Sequence, residues 1–559
     1  MRRKLTTSLL FIAIFVFLAA SFSYHIFRDI LPSAVSSPSP PPPPLTSRSA
    51  ALNQPIDRLA NNAVRELLGS LPRHQSPLPL DSILLPDWEV LLLLPPNASS
   101  SADAASLSCL FHSGANSPAR TAGPSAFRCT LPNRLRRVRP FYTPRLIGPS
   151  DAVSPLVGLE DPAPREMIRW SGRIAYESFS TDDDVIVFAK GINRRKDFNL
   201  PAAGIQCIFS PASGGAAIAA TPATTSAQEV FRCPHPPAAE VSRTGSVRVS
   251  LSIGPDEAPI PTVANYELPR HGKASRERFR ICSCTMVFNV AKFLPEWVAY
   301  HAGVGIEQFI LYDNGSEDGL DSVVSQLVSE GFNMETRSWP WPKTQEAGFS
   351  HCAAENRDEC EWMAFLDVDE FVLAPAWTGS DRPDRSMISS LISVPPEVGQ
   401  VAIRCLDFGP SGQRVHPRGG ATQGYTCRRR IDERHKSFVR LDAVGYSLTN
   451  SIHHFELGDE FKTRWKNVRE ARVNHYKYQA WDEFKVKFRR RVSTYVADWR
   501  ESTNLGSKDR TPGLGSEPIE PRGWAGKFCE VNDTLIRDTT RRWFGTVGPS
   551  GEYQMIWQN

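Results

Sequence analysis

Apolar and polar positions follow different patterns along the chain, and the main change falls near residue 278. After it, short apolar runs predict strands, and segments with helical spacing lie between them. The strands are predicted at Arg280–Val287, Gln308–Tyr312, Phe332–Arg337, Trp362–Leu366 and Val401–Arg404. The helices are predicted at Phe293–Gly303, Leu320–Ser329 and Ser350–Cys360. Strands that alternate with helices predict an α/β domain, in which a parallel sheet carries helices on both faces.

The segment before this change, residues 77–270, has short apolar runs broken by Pro, Gly and Ser. Runs such as Trp88–Leu94, Asp184–Ala189 and Val247–Ile253 alternate apolar and polar positions, as strands with one buried face do. We therefore expect a β-rich, sandwich-like module ahead of the α/β domain.

The β-rich segment contains a duplication. Both copies read C-x-F, then a loop of small residues, then F-R-C-x-x-P. The first copy extends from Cys109 to Pro132 and the second from Cys207 to Pro236. Two hairpins, each held by a disulfide, would explain the pattern, and the bonds would be Cys109–Cys129 and Cys207–Cys233. The module then has either a purely structural role or a glycan-binding role.

The N-terminus has the pattern of a membrane anchor. Arg2, Arg3 and Lys4 precede an uncharged run from Leu5 to Phe27, which is long enough to cross a bilayer as a helix. The positive flank predicts a cytoplasmic N-terminus for residues 1–28 and translocation of the rest. A cleaved signal peptide is the alternative, since small residues offer a cleavage site. Residues 29–76 are rich in Pro and Ser and predict a semi-rigid stem.

Composition limits the partners and the compartment. The 559 residues carry a formal net charge of +4, which is small for a nucleic-acid binder, so we expect no nucleic-acid partner. The basic run Lys485–Arg491 predicts a solvated helix face. Eleven cysteines are typical of an oxidising lumen. Their odd number leaves at least one unpaired, which permits a disulfide-linked homodimer.

An acidic motif, Leu366-Asp367-Val368-Asp369-Glu370, follows the fourth predicted strand of the α/β domain. Residues two apart on an extended strand point the same way, so Asp367 and Asp369 are expected on one face. Two adjacent carboxylates favour a divalent cation such as Mg²⁺ or Mn²⁺, which could hold the diphosphate of a nucleotide. The alternative is a solvated acidic turn.

A second polar loop, Asp313-Asn314-Gly315-Ser316, follows the second predicted strand. Asp313 could accept hydrogen bonds from a ribose or a base, or it could cap the next helix. In parallel sheets, ligands bind beyond the carboxyl ends of the strands, where both loops are expected. A third metal ligand would come from His453-His454 or from His475.

Several motifs in this order resemble glycosyltransferase family 92, whose plant members include pectic β-1,4-galactan synthases. The resemblance lies in Cys284–Asn289, Leu294–His301, Tyr312–Ser316, Trp362–Phe371 and Asn474–Tyr476. It implies a GT-A-type, Rossmann-like catalytic domain over residues 278–545, an inverting mechanism, a UDP-sugar donor and Mn²⁺ (or Mg²⁺). It also implies an N-terminal membrane anchor and a β-rich carbohydrate-binding module.

The resemblance assigns roles to individual residues. It implies that Asp367, Asp369 and His475 ligate the metal, that Asp367 thereby also contacts the nucleotide-sugar, and that Asp313 contacts the nucleotide. Asn289, at the end of the first strand, is expected to face the nucleotide as well.

An inverting transfer also needs a general base for the acceptor hydroxyl. We expect Asp407, with Glu456 as the second candidate. Gln345 and Arg357 are expected to contact the sugar or phosphates, while Glu370 is expected to brace the metal pair.

Together these features predict a single-pass type II enzyme of the Golgi membrane with a lumenal catalytic domain. It would transfer a hexose, galactose first, to an oligo- or polysaccharide acceptor of the cell wall or of a glycoprotein, forming a β-linkage. A glycan-binding protein with an inactive transferase domain is one alternative. A metal-dependent hydrolase is another, although a phosphatase-type nucleophile loop is missing.

Overall fold

The computed structural model describes residues 81–94, 107–148 except 124, 165–193, 198–269 except 255–256, 278–494 except 452, 519–548, 551 and 553–558. All of them belong to one compact unit, Gln75–Asn559. The predicted anchor and stem, residues 1–76, lie outside the described residues. Among the latter, no helix combines the length and the hydrophobicity that a bilayer crossing requires.

The first part of this unit is rich in strands, as the alternating pattern predicts. Its strands are β1 Asp81–Leu84, β2 Glu89–Leu93, β3 Ser108–Leu110, β4 Asn116–Pro118, β5 Arg120–Gly123, β6 Ala126–Thr130, β7 Arg145–Ile147, β8 Ile168–Arg169, β9 Ile174–Ser180, β10 Asp184–Lys190, β11 Ile205–Pro211, β12 Ala219–Pro222, β13 Thr225–Ala227, β14 Val230–Pro234, β15 Val247–Ile253 and β16 Asn265–Tyr266. A helix, Ala238–Thr244, precedes β15.

Each copy of the duplicated motif contributes strands to two sheets that share a core, together with strands from the flanking sequence. The first copy has the orders β5-β6-β2-β1-β8 and β4-β3-β7, and the second has β13-β14-β10-β9 and β12-β11-β15-β16. The disulfides Cys109–Cys129 and Cys207–Cys233 are confirmed. Each joins strands of two different sheets rather than the two arms of one hairpin, because side chains of both sheets meet in one apolar core.

The second part contains the predicted alternation of strands and helices. Its strands are β17 Phe279–Val287, β18 Gln308–Asp313, β19 Met334–Ser338, β20 Cys360–Phe365, β21 Glu370–Leu373, β22 Val398–Phe408, β23 Cys427–Arg440, β24 Lys462–Lys466, β25 Arg472–His475, β26 Val531–Asn532, β27 Gly545–Val547 and β28 Tyr553–Met555. Its helices are Leu294–Val304, Leu320–Ser329, Gln345–Glu355, Ser386–Leu391, Ala421–Gly424, Trp481–Thr494 and Leu535–Phe544.

The large sheet of this part has the order β19-β18-β17-β20-β23-β22-β25-β21, with β24 beside β22 and β26 beside β23. Strands β19, β18, β17 and β20 are parallel, and β23 runs antiparallel to β20. The predicted α/β class is therefore confirmed, but the sheet is mixed rather than the wholly parallel sheet that the pattern predicts. The helix predicted at Ser350–Cys360 instead spans Gln345–Glu355, because Asn356 ends it by donating a side-chain hydrogen bond to the Cys352 carbonyl at 2.9 Å.

The two parts share an apolar core. Ile83, Trp170 and Ile186 of the β-rich part pack in the same cluster as residues of β17, β18 and β20. Trp170 stacks on Trp341 with ring centroids 5.7 Å apart. This shared burial fixes the β-rich part against one face of the parallel strands.

Three further disulfides lie in the second part. Two of them, Cys282–Cys360 and Cys284–Cys352, tie β17 to β20 and to the helix Gln345–Glu355, and the third is Cys427–Cys529. The eleventh cysteine, Cys405, is free and fully buried. The odd cysteine count permitted a disulfide-linked homodimer, but the unpaired thiol is enclosed by the core and is not exposed to a second chain.

Candidate functional site

The acidic motif forms a tight turn between β20 and β21. The Glu370 amide donates to the Asp367 carbonyl at 3.0 Å, and the Asp367 amide donates to the Glu370 carboxylate at 2.9 Å. The expectation that Asp367 and Asp369 share a face of an extended strand is therefore corrected. The turn, rather than strand periodicity, brings the acidic side chains together.

Sheet register assembles the centre of the site from three neighbouring strands. Glu370, the first residue of β21, pairs with His475 of β25, and His475 pairs with Asp407 of β22. Asp369, Glu370 and His475 each offer one potential ligand atom, and these atoms lie within 4.8 Å of one another. We call these three residues the acidic–histidine cluster.

The two ring nitrogens of His475 have different surroundings. Nδ1 lies 3.0 Å from Oδ1 of Asp407, while Nε2 lies 3.6 Å from a carboxylate oxygen of Asp369 and of Glu370. Burial opposes the imidazolium, but the carboxylates, Asp369 first, raise the pKa of His475 to about 9. Nε2 is therefore the nitrogen that faces the carboxylates of Asp369 and Glu370, and Asp407 holds the imidazole ring in that orientation.

Asp407 is placed behind His475 and is only 1% exposed. One of its carboxylate oxygens contacts His475, and the other accepts a hydrogen bond from Lys477 at 2.8 Å. Burial opposes its charged form, but these two partners hold the pKa of Asp407 well below its usual value. The arrangement orients an imidazole, and burial of the Asp407 side chain separates it from any acceptor in solution. This position corrects the expectation that Asp407 is the base.

Two lysines, which the sequence reasoning did not assign to the site, contact its acidic residues. Lys436 of β23 lies 2.9 Å from Asp367 and 2.7 Å from Glu370, and Lys487 donates to Asp369 at 2.7 Å. Lys487 belongs to the basic run that predicted a solvated face, and this run was its only sequence signal. Burial alone would raise the pKa of Asp367, but Lys436 and His453 hold it well below its usual value.

The donor chemistry of the cluster fits Mn²⁺ or Mg²⁺. Both prefer carboxylate oxygens, and Mn²⁺ also accepts an imidazole nitrogen. Burial is the main reason that the pKa of Glu370 is raised, and the Lys436 ammonium, 2.7 Å away, opposes this shift by favouring the carboxylate. Of the predicted ligands, Asp369 and His475 belong to the cluster. Asp367 lies outside this group of three, and Glu370 takes the third position.

The second polar loop lies at the same carboxyl edge as the acidic turn, one strand away, because β17 pairs in parallel with both β18 and β20. The Asp313 carboxylate accepts hydrogen bonds from the Ser316 amide at 2.9 Å and from its hydroxyl at 2.6 Å. Burial raises the pKa of Asp313. Asn289 accepts a hydrogen bond from the Glu317 amide at 2.7 Å. Both predicted nucleotide contacts thus shape one turn at this edge.

The remaining predicted residues are spread over the domain. Gln345, the first residue of its helix, donates to Asp367 at 3.4 Å and so lies at the site. Arg357 is exposed in the turn before β20, at the end of that strand opposite to Asp367. This position corrects the expectation that Arg357 contacts the donor. Glu456 is exposed on the segment that follows His453.

Comparison with known proteins decides the family. Residues 277–504 match glycosyltransferase family 92. A glycosyltransferase family 92 protein of Ricinus communis is 42% identical over 398 residues, which is 68% of either chain. The chain belongs to glycosyltransferase family 92. A family 92 protein of Arabidopsis thaliana is 41% identical over 67% of either chain. The protein is therefore a glycosyltransferase, as the motif order predicts.

Solved structures are more distant. A mannosyltransferase from Pyrobaculum calidifontis in complex with GDP-mannose and Mn²⁺ is 11% identical, with a TM-score of 0.25 over 41% of this chain and 66% of that chain. Glucosyl-3-phosphoglycerate synthase from Mycobacterium tuberculosis, in complex with Mn²⁺, UDP and glucosyl-3-phosphoglycerate, is 10% identical, with a TM-score of 0.18 over 30% of this chain and 58% of that chain. Similarities of this extent carry no argument about the site.

Proposed function

We propose that this family 92 member is a metal-dependent, inverting glycosyltransferase that transfers a hexose from a UDP-sugar to a glycan acceptor and forms a β-linkage. Galactose is the proposed sugar, on the resemblance to the pectic galactan synthases. The catalytic part, residues 278–545, is proposed to be of the GT-A type, since it has parallel strands with two polar loops at their carboxyl edge.

The observation that carries this proposal is the orientation of His475. Its Nε2 faces Asp369 and Glu370 at 3.6 Å, while Asp407 holds Nδ1 at 3.0 Å. A carboxylate behind an imidazole is the usual support of a metal-ligating histidine. Asp369, Glu370 and His475 would therefore hold Mn²⁺ or Mg²⁺. Asp367, a ligand according to the family resemblance, lies next to them, and Lys436 contacts both Asp367 and Glu370.

Other residues have roles that follow from their positions. When bound, the metal would supply the positive charge that the donor diphosphate requires as UDP leaves. The ammonium groups of Lys436 and Lys487 add positive charge beside the same carboxylates. The turn formed by Asp313 and Asn289 would hold the nucleoside. The exposed Glu456 is proposed as the base that takes the proton of the acceptor hydroxyl, since Asp407 is enclosed.

We also propose that the enzyme is a single-pass type II protein of the Golgi membrane. The basic residues before the uncharged run Leu5–Phe27 support this orientation. Five disulfides support a lumenal location for the folded part, because the cytosol keeps thiols reduced.

A donor screen tests the proposal. The purified full-length protein is incubated with Mn²⁺, a panel of UDP-sugars and defined oligosaccharides, and products are analysed by mass spectrometry. We expect elongation with UDP-galactose in the presence of Mn²⁺ and none after chelation. Elongation with another UDP-sugar instead would show that the donor is not UDP-galactose. Glycan binding without any elongation would contradict the proposal and favour a glycan-binding protein with an inactive transferase domain.

A further inference from the structure

The duplicated motif places an arginine at the same position in each copy, Arg128 on β6 and Arg232 on β14. Each precedes a half-cystine, Cys129 or Cys233, and each strand has four buried residues followed by an exposed one. Arg128 is 6% and Arg232 is 7% exposed. Arginine is almost never buried to this extent unless its guanidinium is paired. Both side chains find partners in the α/β part of the molecule.

Arg128 holds the turn that begins at Asp313. Its Nη2 donates to the Asn314 carbonyl at 3.1 Å and to the Pro340 carbonyl at 3.2 Å. The guanidinium lies directly against Gly315, where an added Cβ would come 3.0 Å from Cζ. Gly315 has φ +83°, so the turn already requires a residue without a side chain. The first copy of the duplication therefore supports the turn that is proposed to hold the nucleoside.

Arg232 holds a different segment, residues 446–450. Its Nη1 donates to the Tyr446 carbonyl at 2.9 Å, and its guanidinium lies 3.9 Å from the centre of the Tyr446 ring. Asp184 binds Arg232 at 2.7 Å and accepts a hydrogen bond from the Tyr446 hydroxyl at 2.7 Å. Gln228 of the same copy exchanges two hydrogen bonds with the backbone of Asn450.

The segment that Arg232 holds leads to the acidic turn. Three residues after Asn450, His453 places Nε2 at 3.4 Å from Asp367 and 2.6 Å from Lys436. His453 has φ +65°, an unfavourable conformation that its surroundings must maintain. The second copy of the duplication therefore supports the segment that contacts the acidic turn.

We infer that the two copies act as a pair of clamps around the sugar nucleotide, in which Arg128 positions the 313–317 turn and Arg232 positions the 446–450 segment that leads to His453. Arg128 and Arg232 are positioning residues, because they act through backbone carbonyls rather than through the substrate. This inference rests on the proposed function as far as the nucleotide is concerned. It gives the β-rich part a role in donor binding that is independent of any glycan bound to it.

Hydrogen exchange tests the clamps without a substrate. Arg128→Gln, Arg232→Gln and a control, Arg243→Gln, are prepared in the full-length protein and followed by mass spectrometry. Arg243 is an exposed arginine of the same part that pairs with Glu240. We expect at least about tenfold faster exchange in residues 313–317 for the Arg128 variant and in 446–453 for the Arg232 variant. Each disulfide still ties its strand in place, so the remaining core is expected to exchange as in the control.

Kinetics then test the link to the donor. In the Arg128 variant we expect the Kd for UDP with Mn²⁺ and the KM for the UDP-sugar to rise about tenfold, with the acceptor KM within about twofold of wild type. In the Arg232 variant we expect kcat to fall about tenfold. Arg128→Lys, which keeps the charge but not the planar fork, is expected to fall between wild type and Arg128→Gln.

Three outcomes would overturn the inference. The first is exchange in the two segments equal to that of the control. The second is uniformly faster exchange over the whole domain, which a merely structural arginine would cause. The third is local loosening without any change in UDP affinity or kinetics in an active enzyme. If wild type neither binds UDP nor transfers a sugar, the proposed function fails instead, and the exchange result still decides whether the clamps exist.

Discussion

The Nδ1 atom of His475 lies 3.0 Å from a carboxylate oxygen of Asp407, and this contact determines which ring nitrogen faces the acidic turn. Asp407 comes from β22 and His475 from β25, two strands that pair in register at these residues. The orientation of the imidazole is therefore built into the sheet. Metal affinity should depend on Asp407 even though Asp407 is not a ligand.

Replacing Asp407 with asparagine tests this dependence. The amide keeps the shape of the side chain but loses the charge that favours an Nδ1–H donor, so Mn²⁺ affinity should fall about 10–100-fold. Calorimetric titration with Mn²⁺ measures the change. Asp432→Asn, at an exposed carboxylate that pairs with Arg404, serves as the matched control. Equal Mn²⁺ affinity in both variants would remove Asp407 from the site.

A glycine ends the helix that packs against strand β21 of the site. Gly305 closes the helix Leu294–Val304, whose Trp297 and Tyr300 donate to the carbonyls of Glu370 and Val372 at 3.0 and 2.7 Å. It has φ +123°, and an added Cβ would collide with the Arg385 carbonyl oxygen.

Gly305→Ala should therefore lower the free energy of unfolding by at least about 3 kcal/mol. Gly331 also has a positive φ, +97°, but an added Cβ there meets open space. Gly331→Ala should cost only about 1 kcal/mol. Urea unfolding compares the two variants, and similar losses in both would show that the contact with Arg385 is unimportant.

Stability should fall with rising pH because of Glu296. This buried carboxylate accepts hydrogen bonds from the Ala421 and Thr422 amides and the Thr422 hydroxyl. Burial outweighs these bonds and raises the pKa of Glu296 from 4.5 to about 7. The folded protein then holds a proton that the unfolded chain has lost. The contribution is complete below pH 4.5 and is lost as the pH rises through about 7.

Urea unfolding at about pH 5 and at about pH 7.5 measures this effect. Wild type should lose up to about 3 kcal/mol more than Glu296→Gln over this interval, because glutamine does not titrate. Glu307→Gln, at a carboxylate near the surface, provides the control for the general pH response. An equal pH slope in wild type and Glu296→Gln would show that Glu296 is ionised throughout.

Local patterns predicted local structure well. The helix Leu320–Ser329 has its predicted bounds, and strand β15 spans Val247–Ile253 as expected. Both have clear periodicity and neighbouring turn residues. The helix Gln345–Glu355 was placed five residues too late, because its buried faces contact both parts of the molecule and obscure the amphipathic spacing. The duplicated cysteine motif predicted its two disulfides correctly.

Contacts distant in sequence could not be predicted from such patterns. Lys436 meets Asp367 from 69 residues away, and Lys487 meets Asp369 from 118 residues away. Neither pairing has a local signal, since lysine is common and its partner is set by strand order. Arg128 did have a signal, because an arginine recurs at the same place in both copies. The repeat alone did not indicate that these arginines contact the other part of the chain.

The central claim is that the acidic–histidine cluster binds a divalent cation that engages a sugar nucleotide. Calorimetric titration of UDP into wild type and Asp369→Asn, each with and without Mn²⁺, tests it most directly. We predict that Mn²⁺ strengthens UDP binding to wild type by at least about 100-fold, and that Asp369→Asn loses this increment while its thermal unfolding is nearly unchanged. Equal Mn²⁺-dependent UDP binding in the two proteins would contradict the claim.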